Sequence, residues 1–488
     1  MTLLEELTGW AAKLTLDQVP PRVVEMAKSQ VLSQLAAIRG GMAHPQGQTL
    51  LRAFGTPLQP TAKKAATVLA GLTSWLHLDD TAYAGHLSNS TVSVPFAYAE
   101  ACRLDGTALL TAIIAANECA ARITASATLG PFRGQMAAHT HLAGAIAARL
   151  HASGAPAGRW VDAFGLAFAM PIWTLTHGFM GSEARMLSSA LPVRVGLAAV
   201  DSAAGGLSGA PDILEHPKGF LATFAQVPVP TAITVGLGDR WHTETLSFKV
   251  HPSGPGTDTA VDCALRLHAE LDPDEMEAIE EIVVRASLYT LMVDKAAAEY
   301  LDGPRTPVSA LVSATPYAVA TALSTGGLTP ADFTAPATDD PARWALAAKV
   351  RLVHDKEMTT ILLHADAPFG EAIRAAGERG AAWVRDFGGP LLADLLGPIG
   401  PPRASFEDAV KATPAAVSVH LAGGRVVEHR ADVPVGGIGP DTRASHRRLV
   451  RGKFLEAGGP AEVADAVNDL ERLSASEIGW FLRTALQR

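Results

Sequence analysis

The segment WLHLDDTAYAGHLSNSTVSVPFAYAE concentrates side chains that can hold, donate or accept a proton. Within ten residues it contains two imidazoles, two carboxylates and a hydroxyl: His77, Asp79, Asp80, Thr81 and His86. An imidazole, whose ordinary pKa is about 6.5, can act as an acid or a base near neutral pH. The same residues could instead form a surface loop in which Asp80 or Thr81 only turns or caps the chain. The residue types alone leave both interpretations open.

The order of these residues resembles the signature of the MmgE/PrpD family, in which Asp-Asp-Thr is followed by His-x-Ser, Val-x-Val-Pro and an Ala-rich helix. The resemblance recurs in order along most of the chain, at LAGAIAARL (142–150), GLAAVDSAAGGLSGAPDILEHPKGF (196–220), SFKVHP (247–252) and TPYAVATAL (315–323). The family includes 2-methylcitrate dehydratase, cis-aconitate decarboxylase and iminodisuccinate epimerase. The combination of PDILE with PYAVA makes the resemblance fairly specific.

The resemblance implies roles for several residues. His86 and Thr81 occupy positions where the family transfers protons and binds substrate at the mouth of a pocket. Of the two adjacent carboxylates, we favour Asp80 as the site residue and expect Asp79 to organise the loop. Lys249, which stands at a family lysine position, is expected to close over a substrate carboxylate.

Three positions depart from the family pattern. Gln135 stands where many members carry a histidine, Arg185 where they carry a lysine, and His77 where they often carry an aspartate. Arg185 keeps the positive charge and adds a planar fork that matches a carboxylate, whereas Gln135 cannot transfer a proton. We therefore expect Gln135 and Arg185 to bind substrate, with His77 joining His86 and Asp80 as a catalytic candidate. The usual family substrate is accordingly in doubt, and another dicarboxylate is expected.

Motifs for other chemistry are missing from the sequence. His139-x-His141 could suggest a metal pair, but residues two apart do not face each other on a helix, and no third ligand of suitable spacing follows. The chain has no G-x-G-x-x-G, Walker, H-E-x-x-H or G-x-S-x-G motif. We therefore expect neither a metal nor a cofactor.

Composition argues against several classes of partner. The net charge of −9 and the absence of a dense Lys/Arg run disfavour nucleic acid. The most apolar stretches, 109–123 and 164–181, are interrupted by polar residues or proline, so neither is expected to span a membrane. The N-terminus is unlike a secretory signal. Because Cys102, Cys119 and Cys263 are isolated, no disulfide framework is supported, and a cytoplasmic location fits best.

The elements that must position the site begin with a long helical segment, residues 1–245. A helix opens at Pro20 and Pro21 and is expected to end at Gly40 and Gly41. Apolar residues continue to recur at helical spacing beyond it. The further helices are expected at 62–78, 91–104, 107–127, 136–152, 160–177 and 186–205.

The pattern changes near residue 246. IEEIVVRAS (279–287) is rich in β-branched residues, and VSVHLAGGRVVEHR (417–430) alternates on both sides of a Gly-Gly turn, as a β-hairpin does. Helical stretches lie among these strands at 255–270, 314–325 and 368–384. We therefore predict an α+β domain over 246–440, followed by a return to helix from 441.

The predicted fold is mainly α: an all-α helical bundle formed by 1–245 and 441–488, with a smaller α+β lid domain, 246–440, inserted into it. The inserted topology is what the resemblance implies, because periodicity cannot show which helices pack together. The resemblance also implies a homodimer through the helical domain, where Ala-rich helices offer flat faces for an isologous contact.

The expected function is that of a cofactor-independent lyase, a dehydratase or a decarboxylase, acting on a small di- or tricarboxylate by proton transfer next to a carboxylate. Two alternatives stay open on the same fold: an epimerase of an amino- or imino-dicarboxylate, and a non-catalytic carboxylate-binding protein. A two-base epimerase needs a group on each face of the substrate carbon, so the inert amide of Gln135 favours the lyase.

Overall fold

The computed structural model describes residues 1–131 and 135–487, with the side chains of all of them except 135–137. Helices make up 61% of the structure and strands 7%, which confirms the mainly α class. A capping box opens the first helix, because the Thr2 side chain accepts from the Glu5 amide and the Glu5 side chain accepts from the Thr2 amide.

The helices of the first half pack around a core of Ala, Leu, Val and Ile side chains. In chain order they are α1 (Leu3–Ala11), α2 (Pro21–Ala43), α3 (Pro45–Phe54), α4 (Ala62–Ser74), α5 (Ser88–Thr91), α6 (Ser93–Tyr98), α7 (Gly106–Ser126), α8 (Gln135–Ala152), α9 (Ala157–Phe168), α10 (Thr176–Gly181), α11 (Ala184–Ala204) and α12 (Phe220–Phe224).

The helix expected over 160–177 ends at Phe168, with Pro171 soon after it, and α10 begins only at Thr176.

Two further helix predictions were wrong in this half. Helix α2 continues past Gly41 to Ala43, and a Cβ on Gly41 would lie 2.3 Å from the Leu72 carbonyl oxygen. The glycine therefore permits a close approach to α4 and does not end the helix. The helix expected over 91–104 is replaced by the short α5 and α6, and Pro95 lacks the N–H that a continuous helix would need.

Nine further α-helices lie between residues 257 and 396, a range that the structure describes in full, and the strands are distributed over both halves. The helices are α13 (Thr257–Glu270), α14 (Pro273–Glu277), α15 (Leu288–Ala298), α16 (Val308–Leu311), α17 (Thr315–Thr325), α18 (Pro341–Ala347), α19 (Lys356–His364), α20 (Gly370–Ala376) and α21 (Glu378–Leu396). The strands are β1 (Asp80–Thr81), β2 (Ser247–Phe248), β3 (Ile279–Ala286), β4 (Val350–His354), β5 (Ala415–Leu421) and β6 (Val426–Ala431).

Four strands form one sheet in the order β4-β3-β5-β6, in which β3 runs parallel to β4 and antiparallel to β5. The predicted strand and hairpin are confirmed, and Gly423 and Gly424 take positive φ at the hairpin turn. Strand β4 was not predicted. The single helix expected over 368–384 is divided at Gly377, whose φ of 60° is unfavourable for other residues.

Of the last helices, α22 (Pro440–Glu456) and α24 (Ala475–Leu486) pack back against α2, and α23 (Ala461–Ala466) packs against α22 and α24. Lys453 donates to the Ser33 hydroxyl at 2.9 Å, and Ser29 and His446 are hydrogen-bonded at 2.7 Å. The Arg39 guanidinium donates to the Ala485 carbonyl at 2.8 Å. The helices that flank the sheet-containing segment therefore share one interior. The function of that segment as a lid stays a prediction.

Helix α7 is the one helix among the described residues that is apolar and long enough to span a membrane by composition. In the structure, 94% of its apolar window is buried inside the protein. Its polar members, Glu118 and Arg122, are also buried and lie 3.5 Å apart. In this setting α7 is a core helix.

Candidate active site

The loop between α4 and α5 is held in place by a short ladder with a distant segment. Strand β1 pairs antiparallel with β2, so that Asp80 lies opposite Phe248 and Thr81 opposite Ser247. Asp79 and Lys249 come directly before and after these strands, and the lysine charge acts on the Asp79 carboxyl. The ladder therefore brings a carboxylate of the loop beside a lysine that lies 170 positions later in the sequence.

His86 is paired with Asp79. The Nδ1 atom of His86 lies 2.8 Å from Asp79 Oδ2, and the Asn89 amide donates to the same oxygen at 2.9 Å. The His86 side chain is 23% exposed, whereas the Asp79 side chain is 1% exposed. Because Nδ1 faces a carboxylate, the pairing assigns the proton of neutral His86 to Nδ1 and leaves Nε2 as the base.

Burial opposes the ionisation of Asp79, but nearby positive charge and hydrogen bonding prevail. His86 is the main partner, the charge of Lys249 adds to it, and the pKa of Asp79 falls below its usual value. Asp79 is therefore an anion at neutral pH. Its second oxygen, Oδ1, is buried and has no hydrogen-bond partner among the described residues.

Asp80, the second of the two adjacent carboxylates, organises the loop. It accepts hydrogen bonds from the amides of Leu87 and Ser88 at 3.2 and 3.1 Å, from the Ser88 hydroxyl, and from Gln30 at 2.8 Å. We expected Asp80 to be the site carboxylate and Asp79 to organise the loop, but the hydrogen bonds give the two carboxylates the opposite roles. Asp80 holds the loop together, and Asp79 contacts the imidazole.

His77 lies beside the pair in an unusual backbone conformation. Its φ of 51° is in the left-handed region, which is uncommon for residues other than glycine. Its ring centroid is 5.6 Å from that of His86 and 6.2 Å from that of Phe179. Its Nδ1 atom is buried without a hydrogen-bond partner among the described residues. Strained backbone with unmet hydrogen bonding is typical of functional sites.

Lys249 is a buried cation of the site. Its side chain is 4% exposed, and its ammonium donates to the Ser253 carbonyl at 2.9 Å. Burial lowers the pKa of Lys249 to about 8, although the charge of Asp79 partly offsets the effect. The ammonium is therefore charged at neutral pH and becomes neutral in mildly alkaline solution.

Arg185 supplies a second buried cation from α11. Its Nη1 atom donates to the Ser309 carbonyl at 2.7 Å, and its guanidinium lies 4.8 Å from the Phe179 ring centroid. Burial lowers the pKa of Arg185, but the group stays charged at neutral pH. The Nη2 atom is buried and has no partner among the described residues, so this donor is available to an anion. The side chain of Gln135 lies outside the described residues.

Two further lysines reach this region, and sequence reasoning missed both. Lys411 lies on a loop before β5, with its ammonium 3.3 Å from the Thr81 hydroxyl and 3.6 Å from Asp258. Lys453 donates to the Leu78 carbonyl, immediately before the site carboxylates, and burial lowers its pKa to about 7.

A sequence signal existed for one of these two lysines. Lys453 lies seven residues after His446 and three after Val450, and all three side chains are buried on one face of α22. A lysine on such a face is rarely left without a partner. Lys411 has no comparable signal, because only the packing of its loop brings it to Thr81.

The His139-x-His141 pair does not converge on a metal. Both side chains are 2% exposed, and His139 lies 4.7 Å from the ring centroids of both Phe220 and Phe224. Burial lowers the pKa of each imidazole to about 3. Within residues 1–131 and 135–487, no group of three His, Cys, Asp or Glu side chains is arranged to hold a metal ion.

The arrangement can bind an anion and move a proton. His86 presents Nε2 away from Asp79, while Lys249 and Arg185 supply positive charge in a buried setting where Coulomb interactions are strong. Such a site suits a carboxylate whose neighbouring carbon gains or loses a proton, because buried cations stabilise the charge that develops.

Comparisons with known families give two matches, which follow each other along the chain. The family model described as the MmgE/PrpD N-terminal domain matches residues 5–231, and the model described as the MmgE/PrpD C-terminal domain matches residues 251–377. Lys411 and Lys453 lie outside both matched ranges. No curated protein matches the chain.

Proposed function

Because the chain belongs to the MmgE/PrpD family, a family of dehydratase type, we propose that it is a cofactor-independent lyase acting on a small di- or tricarboxylate. The observation that carries the proposal is the hydrogen bond between His86 and Asp79 beside buried cations. It pairs an oriented proton carrier with groups that can hold a polyanion.

The reaction begins with substrate carboxylates held by Lys249 and the free Nη2 of Arg185. His86 Nε2 takes the proton from the carbon next to a carboxylate, and the electron pair of that C–H bond moves towards the carboxylate. Positive charge of the lysine and guanidinium stabilises the enolate character that results. Asp79 stabilises the imidazolium that forms, as a carboxylate partner does in other His-dependent enzymes.

Two outcomes complete a lyase reaction. In dehydration, the electron pair forms a C=C bond, the C–O bond of a neighbouring hydroxyl breaks, and the imidazolium gives its proton to that hydroxyl as water leaves. In decarboxylation no C–H proton is abstracted. His86 enters this cycle as the imidazolium, the C–C bond breaks as CO₂ leaves, and the electron pair that stays on carbon takes the proton from Nε2. Both need a single proton carrier, which His86 supplies.

A second candidate, an epimerase, is favoured by Lys249. With a pKa of about 8, a fraction of its ammonium is deprotonated near neutral pH, and the group lies close enough to Asp79 for the two charges to interact. A neutral amine there would provide a second base. The abstracted proton could then be replaced on the other face of the substrate carbon.

Turnover in D₂O separates these reactions. Purified protein is incubated with citrate-like, aconitate-like and amino-dicarboxylate compounds and followed by NMR. A lyase releases water, or CO₂ with one deuterium in the product. Exchange of deuterium without loss of water or CO₂ would overturn the lyase and support the epimerase. Binding of a dicarboxylate without any turnover would instead identify a non-catalytic carboxylate-binding protein.

A further inference from the structure

An apolar cavity between helices of the second half of the chain has no part in the proposed reaction. It has a volume of about 330 Å³ and is formed by α15, α19, α20 and α21. Its lining includes Tyr289, Met292, Leu362, Phe369, Trp383 and Leu392. An apolar cavity of about 150 Å³ is large enough for benzene, so this one has room for a chain of several carbons or a ring.

The polar groups that line the cavity are few. The Thr359 hydroxyl is already used, since it accepts from the Leu288 amide at 3.0 Å and contacts the Asp355 carbonyl at 3.1 Å. The Tyr289 ring packs edge-on against Phe369 at 5.0 Å, and burial raises the pKa of its phenol, which therefore stays neutral. The cavity suits a hydrocarbon group and disfavours a charged one.

One electrostatic interaction and one close approach relate α15, which lines the cavity, to the charged cluster. Tyr289 lies close enough to Asp258 for that carboxylate to influence its ionisation, and Asp258 lies 3.6 Å from Lys411, which contacts Thr81. In addition, a Cβ on Gly256 would lie 2.2 Å from the Thr290 hydroxyl.

The close approach of Gly256 to Thr290 ties α15 to the loop that receives the Lys249 ammonium. Gly256 lies three residues after Ser253 on this loop, and the Ser253 carbonyl accepts from Lys249 at 2.9 Å. The start of α15, where Tyr289 lies, is therefore packed against that loop. Tyr289 stands at the boundary between the charged groups and the apolar walls.

We propose that the cavity binds an apolar substituent of the substrate, which is therefore a small carboxylate carrying a hydrocarbon group larger than methyl. The carboxylates contact Lys249 and Arg185, and the substituent passes Tyr289 into the cavity. This inference rests on the proposed carboxylate site, but it makes a separate claim about the rest of the ligand.

The test measures binding of succinate and its 2-methyl, 2-butyl and 2-hexyl derivatives by isothermal titration calorimetry. Affinity is expected to increase roughly fourfold for each methylene that becomes fully buried. Met292→Trp, at a position 42% exposed on the cavity wall, and Leu362→Trp, at a buried position, should remove this increase while leaving succinate binding unchanged. Met170→Trp, at a position 76% exposed and outside the lining, is the matched control.

The outcomes distinguish this inference from the proposed function. If succinate binds and 2-hexylsuccinate binds no more tightly, the cavity proposal is wrong and the carboxylate site stands. If no compound of the series binds, both fail. Hexyl binding that is unchanged in Lys249→Met or in both tryptophan variants would overturn the link between cavity and site. If Met292→Trp changes the molar mass of the protein in solution, the cavity lies at a contact between two copies, and the cavity proposal is wrong.

Discussion

The Nδ1 atom of His86 lies 2.8 Å from the Oδ2 atom of Asp79. The two residues are seven positions apart on a loop, and the pairing decides which imidazole nitrogen faces the substrate. Because Asp79 holds the proton at Nδ1, Nε2 is the atom that exchanges protons.

Removing the imidazole should mainly depress kcat. We expect His86→Ala to lower kcat by roughly a hundredfold to ten-thousandfold, because a positioned acid or base contributes about that much. Steady-state kinetics on the substrate found by the D₂O screen provides the measurement. His216→Ala, which removes an exposed imidazole, is the control and should have wild-type kinetics. A His86→Ala enzyme with wild-type kcat would refute the assignment.

The two neighbouring carboxylates should respond differently to the same substitution. Asp79→Asn should lower kcat by roughly a hundredfold or more with little effect on stability, because an amide can donate to Nδ1 and leave the wrong nitrogen protonated. Asp80→Asn should lower the free energy of unfolding by roughly 1 to 3 kcal/mol, since it sets an amide against the donors of Leu87 and Ser88. Urea denaturation and kinetics of both variants check this. The reverse pattern would restore Asp80 as the site carboxylate.

Substrate binding should weaken in alkaline solution. The pKa of Lys249 is lowered to about 8. Its side chain is therefore charged below that pH and loses its positive charge as the pH rises through it. The affinity for a dicarboxylate should fall by about tenfold per pH unit above pH 8, until the pKa of the occupied protein is reached. Calorimetric titration with succinate between pH 6.5 and 9.5 measures this effect.

Two variants give the matched comparison for that titration. Lys249→Met should weaken binding at pH 7 by roughly tenfold to a hundredfold and flatten the profile. Arg185→Met should weaken binding to a similar extent and keep the alkaline loss, because a guanidinium does not titrate in this range. An unchanged profile in Lys249→Met would show that another group titrates.

Lys453 should make stability depend on pH. Its pKa is lowered to about 7 in the folded protein from 10.5, so between these values the unfolded state binds a proton that the folded state lacks. The contribution of this group to the free energy of unfolding therefore rises with pH across that window, by about 1.4 kcal/mol per unit. Urea denaturation should show that, from pH 7 to pH 9, the free energy of unfolding of the wild type increases relative to that of Lys453→Met. Equal pH dependence of the two proteins would contradict the shift.

The assembly is expected to be a homodimer formed through the helical segments. The Ala-rich helices offer small-residue faces that suit an isologous contact. Multi-angle light scattering at micromolar concentration should return twice the chain mass of 50.8 kDa. A monomer mass would refute the expectation.

Local sequence patterns determined the mainly α class, the strand over 279–286 and the hairpin around Gly423. They could do so because helical periodicity and turn glycines are properties of neighbouring residues. The family followed from motifs spread along the chain. The prediction that α2 ends at Gly41 was wrong, because this glycine permits a close contact with Leu72, which is distant in the sequence.

Only the tertiary structure decided which groups share the site. Asp79 and Asp80 are adjacent and chemically identical, and the pairing of β1 with β2 turns one towards His86 and the other towards the loop amides. Lys411 and Lys453 reach the site from distant segments. Contacts between such segments arise from packing of whole elements, and charge–charge attraction acts through space and leaves no periodic trace in the sequence.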